Sequence, residues 1–213
     1  MAACTCLTLD HDRIVAKAVK AAARGISNGD LSVVRNGGWE LWFRNRLLVT
    51  LERDRTLGSM GFTERPSGGR RRADLLFHCL KCPATTLALE VKTNFVTQPN
   101  DVRKAVVLGR DQLHKHIENA VPSVLICVVT HLWFAAEGPY STTHNRVLER
   151  TKYKHFRQRS ASAREDWTVI DDALPTEDRL VERRLVSGNA RALIAIWAAR
   201  ITSTRFPRFI HQD

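Results

Sequence analysis

The most informative segment of this chain is Thr86-Leu87-Ala88-Leu89-Glu90-Val91-Lys92. Its apolar first half predicts a buried β-strand, and this strand ends in two opposite charges. Because side chains on a strand alternate between its two faces, Glu90 and Lys92 point to the same face and Val91 points to the other. An acid and a base side by side at the end of a buried strand indicate either an ion pair or a catalytic centre.

A second acidic residue, Asp74, lies in the upstream apolar stretch Ala73-Asp74-Leu75-Leu76-Phe77. Asp74 and Glu90 are equally far along the chain from Cys82, so an antiparallel hairpin centred on Cys82 would place the two carboxylates opposite each other. Pro83 supports a connection there, because proline cannot donate a hydrogen bond to a strand ladder. Facing Cβ atoms in such a pair are about 5 Å apart.

Two carboxylates at this distance repel each other unless they share a proton or a cation. A hard divalent ion is the natural partner, and Mg²⁺ commonly binds one or two carboxylates together with water and phosphate. Two simpler interpretations stay open. Glu90 and Lys92 could form a surface ion pair worth at most about 1 kcal/mol, and Asp74 could pair with one of the arginines close to it in the sequence.

The chain of 213 residues carries a formal net charge of +11, which favours an anionic partner and nucleic acid first. No apolar run is long enough to cross a membrane, and residues 1–12 lack the basic start and long apolar stretch of a usual secretory signal. Five dispersed cysteines favour a reducing compartment. We therefore expect a cytoplasmic protein with no membrane partner.

The hydrophobic pattern predicts a core in the order helix, strand, strand, strand, helix, strand. The predicted elements are helices over 10–24 and about 39–54, a short strand over 60–64, the two strands with Asp74 and Glu90, a helix over about 100–119, a buried strand over 123–130, and one or two helices between 176 and 200. We divide the chain into an N-terminal helical segment (1–36), a core (37–136) and a basic C-terminal extension packed on the core (137–213).

This order of elements, with Asp74 on one strand and Glu90-Val91-Lys92 on the next, resembles that of the PD-(D/E)XK nuclease superfamily, which includes many restriction endonucleases. The match covers roughly residues 37–130, and Ala73 stands where the family name has a proline. The resemblance implies an α/β fold. Its core would be a restriction-endonuclease-like αβββαβ unit, with a mixed sheet and helices on both faces, followed here by a mixed or helical C-terminal extension.

The resemblance also implies roles for individual residues. Asp74 and Glu90 would bind the metal together with the backbone carbonyl of Val91, and Lys92 would position or activate the attacking water and stabilise phosphate charge. The implied metal is Mg²⁺, with Mn²⁺ as a possible substitute. The other candidates are Glu40 and Gln112 as catalytic residues, Glu40 also as a further metal ligand, and Arg70, Arg71, Arg72, Arg110 and Lys115 as contacts to substrate phosphate.

These expectations describe a metal-dependent endonuclease that hydrolyses phosphodiester bonds, with DNA favoured over RNA as its substrate. Two alternatives stay open. One is a catalytically inactive nuclease-like module that binds nucleic acid, and the other is an RNA-directed nuclease or toxin. A homodimer is possible, because a chain with one site needs a second copy to cut both strands of a duplex.

Overall fold

A computed structural model describes residues 9–35, 39–53, 59–63, 73–79, 81, 84–95, 99–134, 170–188, 190–202 and 208–210. The helices are α1 (His11–Arg24), α2 (Leu31–Arg35), α3 (Trp39–Arg53) and α4 (Pro99–Glu118), with short 3-10 helices at Asn28–Asp30 and Thr176–Asp178. The strands are β1 (Ser59–Thr63), β2 (Leu75–Cys79), β3 (Thr85–Phe95), β4 (Ser123–Phe134), β5 (Val181–Ser187), β6 (Ala190–Ile201) and β7 (Arg208–Phe209). Within these ranges no helix is both long and apolar enough to span a membrane.

Helices α1 and α3 form where the hydrophobic pattern predicts them. The Asp10 carboxylate caps α1 by accepting a hydrogen bond from the Arg13 N–H at 3.1 Å. Helix α3 turns one face toward the protein interior, because its buried residues recur at every fourth position. These residues are Trp39, Phe43, Leu47 and Leu51. The first turns of α3 are thereby fixed beside the sheet.

The described strands form one mixed sheet in the order β1-β2-β3-β4-β6-β5, with β7 paired to β6. The predicted hairpin is confirmed, because β2 and β3 are antiparallel and Leu75 faces Leu89, the register that brings Asp74 to Glu90. Strands β3 and β4 are parallel, and α4 forms the crossover that a parallel pair requires. Cys82, the predicted centre of the hairpin, lies outside the described residues.

Helices cover both faces of the sheet. One apolar core joins α1 and α3 to strand side chains that include Phe77 and Leu89. A second core, on the other face, joins Leu113 of α4 to strand side chains that include Leu125. Because Glu90 follows Leu89 directly, its side chain points to the face that α4 covers.

The helices predicted between residues 176 and 200 are wrong, since β5 and β6 form an antiparallel pair there. Strand β6 pairs with β4 along its whole length, from Ser123 facing Ile201 to Phe134 facing Ala190. The physical reason is that β6 is buried on both faces, which removes the alternation that marks a strand. What remains is a run of Ala, Leu and Ile that suits a buried helix equally well.

The sequence did contain a signal for this hairpin. Gly188-Asn189, within the segment predicted as helical, is a glycine-asparagine pair typical of a two-residue β-hairpin loop. Gly188 has a φ of 58°, which such a tight turn requires and which glycine adopts without strain. Ser187 and Ala190 face each other on either side of the loop.

Gly109 lets α4 approach the sheet closely, beside Glu90. A Cβ atom added at Gly109 would lie 2.5 Å from Cδ1 of Leu125 and 3.5 Å from Cγ of Glu90. The first of these distances is too short for two carbon atoms. The absence of a side chain at Gly109 therefore sets the spacing between α4 and strands β3 and β4.

Gly109→Ala should lower the free energy of unfolding by about 1–3 kcal/mol, because the added methyl group must displace a buried leucine side chain. Urea denaturation followed by circular dichroism measures this change. Gly29→Ala is the matched control, since the nearest atom to its added Cβ would be Ser27 Oγ at 3.6 Å, an ordinary contact. Equal or greater stability of Gly109→Ala would contradict the close approach of α4.

Candidate metal centre

Two hydrogen bonds join the segments that carry Asp74 and Glu90. They lie at the end of the β2–β3 hairpin that is far from its turn, directly before β2 begins. The Asp74 N–H donates a hydrogen bond to Glu90 Oε2 at 3.0 Å. In return, the Val91 N–H donates to Asp74 Oδ2 at 2.8 Å. Each carboxylate therefore accepts a main-chain hydrogen bond from the neighbouring segment, and bonds to a charged acceptor are the stronger kind. This reciprocal pair fixes both acids at one end of the hairpin.

Glu90 is fully buried, and Lys92 offsets part of its charge. The Lys92 ammonium donates to Glu90 Oε1, and the Lys92 side chain is 17% exposed whereas that of Glu90 is 0% exposed. The two residues thus meet on one face of β3, as their spacing predicts. A surface ion pair does not describe this contact, because a buried carboxylate must be neutralised by a cation or a proton.

Arg44 of α3 belongs to the site but was not among the residues predicted from the sequence. Its Nη1 donates to Asp74 Oδ1 at 3.0 Å, in a half-buried position. Asp74 therefore does pair with an arginine, but with one from an earlier helix. The usable signal was helical spacing, since Arg44 follows Glu40 by one turn and shares its side of α3.

Glu40 enters the site from the first turn of α3. It receives a backbone hydrogen bond from Thr93 and lies close to both Lys92 and Asp74. Burial raises the pKa of Glu40, Lys92 opposes this rise, and the negative charge of Asp74 adds to it. We call the set Glu40, Arg44, Asp74, Glu90 and Lys92 the charged cluster.

The charged cluster is one positive charge short, because it contains three carboxylates but only two cations. The missing positive charge has a large effect on the pKa of Glu90. Burial raises the pKa of Glu90 to about 8, the negative charge of Asp74 adds to the rise, and Lys92 opposes it. A proton on Glu90 therefore supplies the missing charge near neutral pH when no other cation is present.

Lys92 remains charged in this environment. Burial lowers its pKa, but the negative charge of Glu90 and the hydrogen bond to it, together with Glu40 and Asp74, outweigh burial and raise the pKa above its usual value. Lys92 is thus a fixed ammonium group at neutral pH, suited to holding an anion or orienting a water molecule rather than to accepting a proton.

The donor set of the cluster suits a hard divalent cation. The carboxylate oxygens of Asp74 and Glu90 each retain a free lone pair beside the hydrogen bonds described above. The carbonyl of Val91 points to the same edge as its N–H, because both groups of a strand residue face the same neighbour. The described ranges contain no group of three or more His, Cys, Asp or Glu side chains shaped to hold a metal. The ligands would therefore be two carboxylates, a carbonyl and water, a set that Mg²⁺ accepts.

An open cleft of about 720 Å³ adjoins the charged cluster. Glu40 and Lys92 line it, and so does Gln112 of α4, which the resemblance implies as a catalytic residue. Lys92 and Gln112, which come from different elements, therefore line the same cleft. The remaining lining residues are Thr93, Asn94, Asp101, Lys104, Ala105, Leu108 and Asp111.

The other predicted phosphate contacts are not brought into this cleft. Arg110 is half-buried and lines a neighbouring cleft with His114 and Ile201. Residues two positions apart on a helix point to different faces, so Arg110 and Gln112 diverge. Lys115 is exposed on α4 and does not line the cleft as far as the structure describes it. The remaining three candidates, Arg70, Arg71 and Arg72, lie outside the described residues.

Cys127 faces Lys92 across the pairing of β3 and β4, yet it is no candidate nucleophile. Burial raises the pKa of the Cys127 thiol to about 12, although Lys92 opposes the rise. The thiol is therefore neutral at physiological pH, and only the thiolate is a strong nucleophile. The chemistry available at this site is that of its carboxylates and cations.

The raised pKa of Glu90 predicts that stability depends on pH in the metal-free protein. The folded protein keeps the Glu90 proton to about pH 8, whereas the unfolded chain loses it near pH 4.5. Because the folded state binds more protons between these values, its free energy of unfolding falls as the pH rises. Glu90→Gln has no proton to lose. Its stability relative to the natural protein should therefore increase from pH 5 to pH 8, as measured by urea denaturation in EDTA.

Asp172→Asn provides the control for this experiment, since Asp172 is an exposed carboxylate whose pKa is lowered by its hydrogen bonds with Arg103. Its effect on stability should be constant over the same pH range. A constant difference between Glu90→Gln and the natural protein would show that Glu90 ionises normally in the folded state.

Comparisons with known proteins leave the residues themselves as the basis for any assignment. No family model, no curated protein and no solved structure matches this chain. The resemblance to the PD-(D/E)XK nucleases thus depends on Asp74, Glu90 and Lys92 and on the order of the elements around them.

Proposed function

We propose that this protein is a metal-dependent endonuclease that hydrolyses phosphodiester bonds, with DNA preferred over RNA as its substrate. The observation that carries the proposal is the reciprocal hydrogen bonding of Asp74 and Glu90. It holds two like charges together at a buried position, an arrangement that lowers stability until a cation or proton is supplied. Such arrangements are concentrated at functional sites.

Three residues of the charged cluster, together with Gln112 in the adjoining cleft, have roles in this proposal. Asp74 and Glu90 would hold Mg²⁺, or Mn²⁺ in its place, with the Val91 carbonyl. Glu40 lies close to them, but among the described residues it does not complete a three-carboxylate ligand group. The ion would supply a Lewis acid and a water molecule of lowered pKa. Lys92 keeps its ammonium beside the reacting phosphate, where it orients the attacking water and stabilises the developing negative charge. Gln112 offers an amide that orients water or substrate in the same cleft.

The architecture around the site supports a restriction-endonuclease-like core. Helix α3, strands β1 to β3, helix α4 and strand β4 follow one another in the expected order, and the sheet is mixed. Asp74 lies directly before β2, and Glu90 and Lys92 lie within β3, where the register brings the acids together. Strands β5 and β6 then extend the sheet beyond β4.

A nucleic-acid substrate is supported by charge. The chain carries a formal net charge of +11, which attracts a polyanion over long distances. The cleft itself is lined by two lysines, Lys92 and Lys104, and by three carboxylates, Glu40, Asp101 and Asp111. A bound divalent cation would therefore be needed before the cleft attracts a phosphate backbone. A homodimer would allow cleavage of both strands of duplex DNA, since one chain provides one site.

The purified protein should cleave plasmid DNA with Mg²⁺ and should not cleave it with excess EDTA. Asp74→Asn and Lys92→Met should each slow cleavage by about 10²–10³-fold, because each removes a charge that acts on the reacting phosphate. Gel analysis of plasmid products over time gives the rates. Nicked, linear or fragmented products also distinguish single-strand cleavage from double-strand cleavage.

The matched control for these variants is Asp172→Asn, which alters an exposed carboxylate paired with Arg103 outside the cluster. It should cleave at the natural rate. Cleavage that survives EDTA, or that is unchanged in Asp74→Asn and Lys92→Met, would contradict the proposed site. Faster cleavage of RNA would favour the RNA-directed alternative, and salt-sensitive binding without cleavage would favour the inactive binding module.

A further inference from the structure

The four carboxylate oxygens of Asp74 and Glu90 are engaged by two different kinds of donor. Main-chain N–H groups, which are neutral, bond to Asp74 Oδ2 and Glu90 Oε2. Cations bond to the other two oxygens, Arg44 to Asp74 Oδ1 and Lys92 to Glu90 Oε1. The oxygens with neutral partners are therefore the ones that are not already bonded to a cation.

Arg44 is oriented by its ion pair with Asp74. Its Nε is buried and has no hydrogen-bond partner in the part of the chain that the structure describes. An arginine side chain stays charged over the whole pH range in which proteins are folded. Arg44 is therefore a permanent positive charge at one oxygen of Asp74.

Charge counting limits the number of metal ions that the cluster can hold. With its three carboxylates and two cations, the cluster lacks one positive charge. One divalent ion would turn this deficit into an excess of one positive charge, which suits an anionic phosphate. A second divalent ion would add two more positive charges beside Arg44 and Lys92, in a half-buried position where water screens their repulsion poorly.

We propose that Arg44 takes the place of a second metal ion, so that each chain binds a single divalent cation. The inference rests on the proposed function, since it concerns the number of ions at the same centre. Arg44 is a positioning residue in this arrangement. It neutralises Asp74 and holds one of its oxygens, while the other oxygen and Glu90 bind the ion.

Titration of the full chain with Mn²⁺, followed by the electron paramagnetic resonance signal of free Mn²⁺, tests the proposal without measuring activity. The natural protein should bind one Mn²⁺ per chain. Arg44→Met, which removes the guanidinium group but keeps an unbranched side chain, should bind a second Mn²⁺ or bind the first about 10-fold more tightly. That is the size of effect that a neighbouring unit charge has on the proton affinity of a carboxylate.

Two further variants make the titration specific to Arg44. Arg44→Lys retains the charge and should keep a stoichiometry of one. Arg200→Met breaks another half-buried arginine-aspartate pair, in which Arg200 Nη1 lies 2.9 Å from Asp12 Oδ1, and should bind Mn²⁺ as the natural protein does. Circular dichroism and thermal unfolding verify that each variant is folded. If Arg44→Met does not fold, Arg44→Gln, which also lacks the charge, replaces it in the titration and should bind a second Mn²⁺.

The outcomes separate this inference from the proposed function. Two Mn²⁺ ions bound by the natural protein would overturn the inference and leave the endonuclease proposal standing. No bound Mn²⁺ would overturn the endonuclease proposal and the inference together. Unchanged or weaker binding by Arg44→Met would mean that Arg44 prepares Asp74 for an ion instead of replacing one, and this result too would overturn the inference.

Discussion

Burial of the Glu90 carboxylate governs how the hairpin and the helices around it are arranged. Glu90 has no exposed surface, and α4 approaches it closely at Gly109. Its charge must therefore be offset from inside the protein. Lys92 supplies a cation from the same strand, and the Asp74 N–H supplies a hydrogen bond from the hairpin partner. The hairpin and α4 must both be in place before this acid can be buried.

The same constraint explains why α3 belongs to the site. The hydrogen bonds that fix Glu90 also bring the carboxylate of Asp74 next to it, and the two charges repel. Arg44 offsets Asp74, whereas Glu40, from the same helix, adds a third negative charge. A cluster built for stability alone would balance its charges or replace them by apolar side chains. This cluster instead keeps a deficit that a divalent cation can fill.

Much of the fold follows from patterns within short segments. The spacing of apolar residues locates α1, α3 and α4, and the position of Cys82 midway between two acids gives the register of β2 and β3. The β6 segment could not be recognised in this way, because burial on both faces removes the strand alternation. Its pairing with β4 joins segments more than fifty residues apart, about which local sequence carries little information.

The candidate site, like the fold, follows in part from local sequence and in part from packing between distant segments. Local sequence predicts that Asp74, Glu90 and Lys92 lie together, because strand alternation and hairpin register depend only on position along the chain. The packing of α3 and α4 on the sheet decides three other features. It brings Arg44 to Asp74, it makes Gln112 rather than Arg110 line the cleft, and it buries Glu90 fully. Helical spacing names the residues that share a helix face, but only packing between distant segments selects which face meets the site.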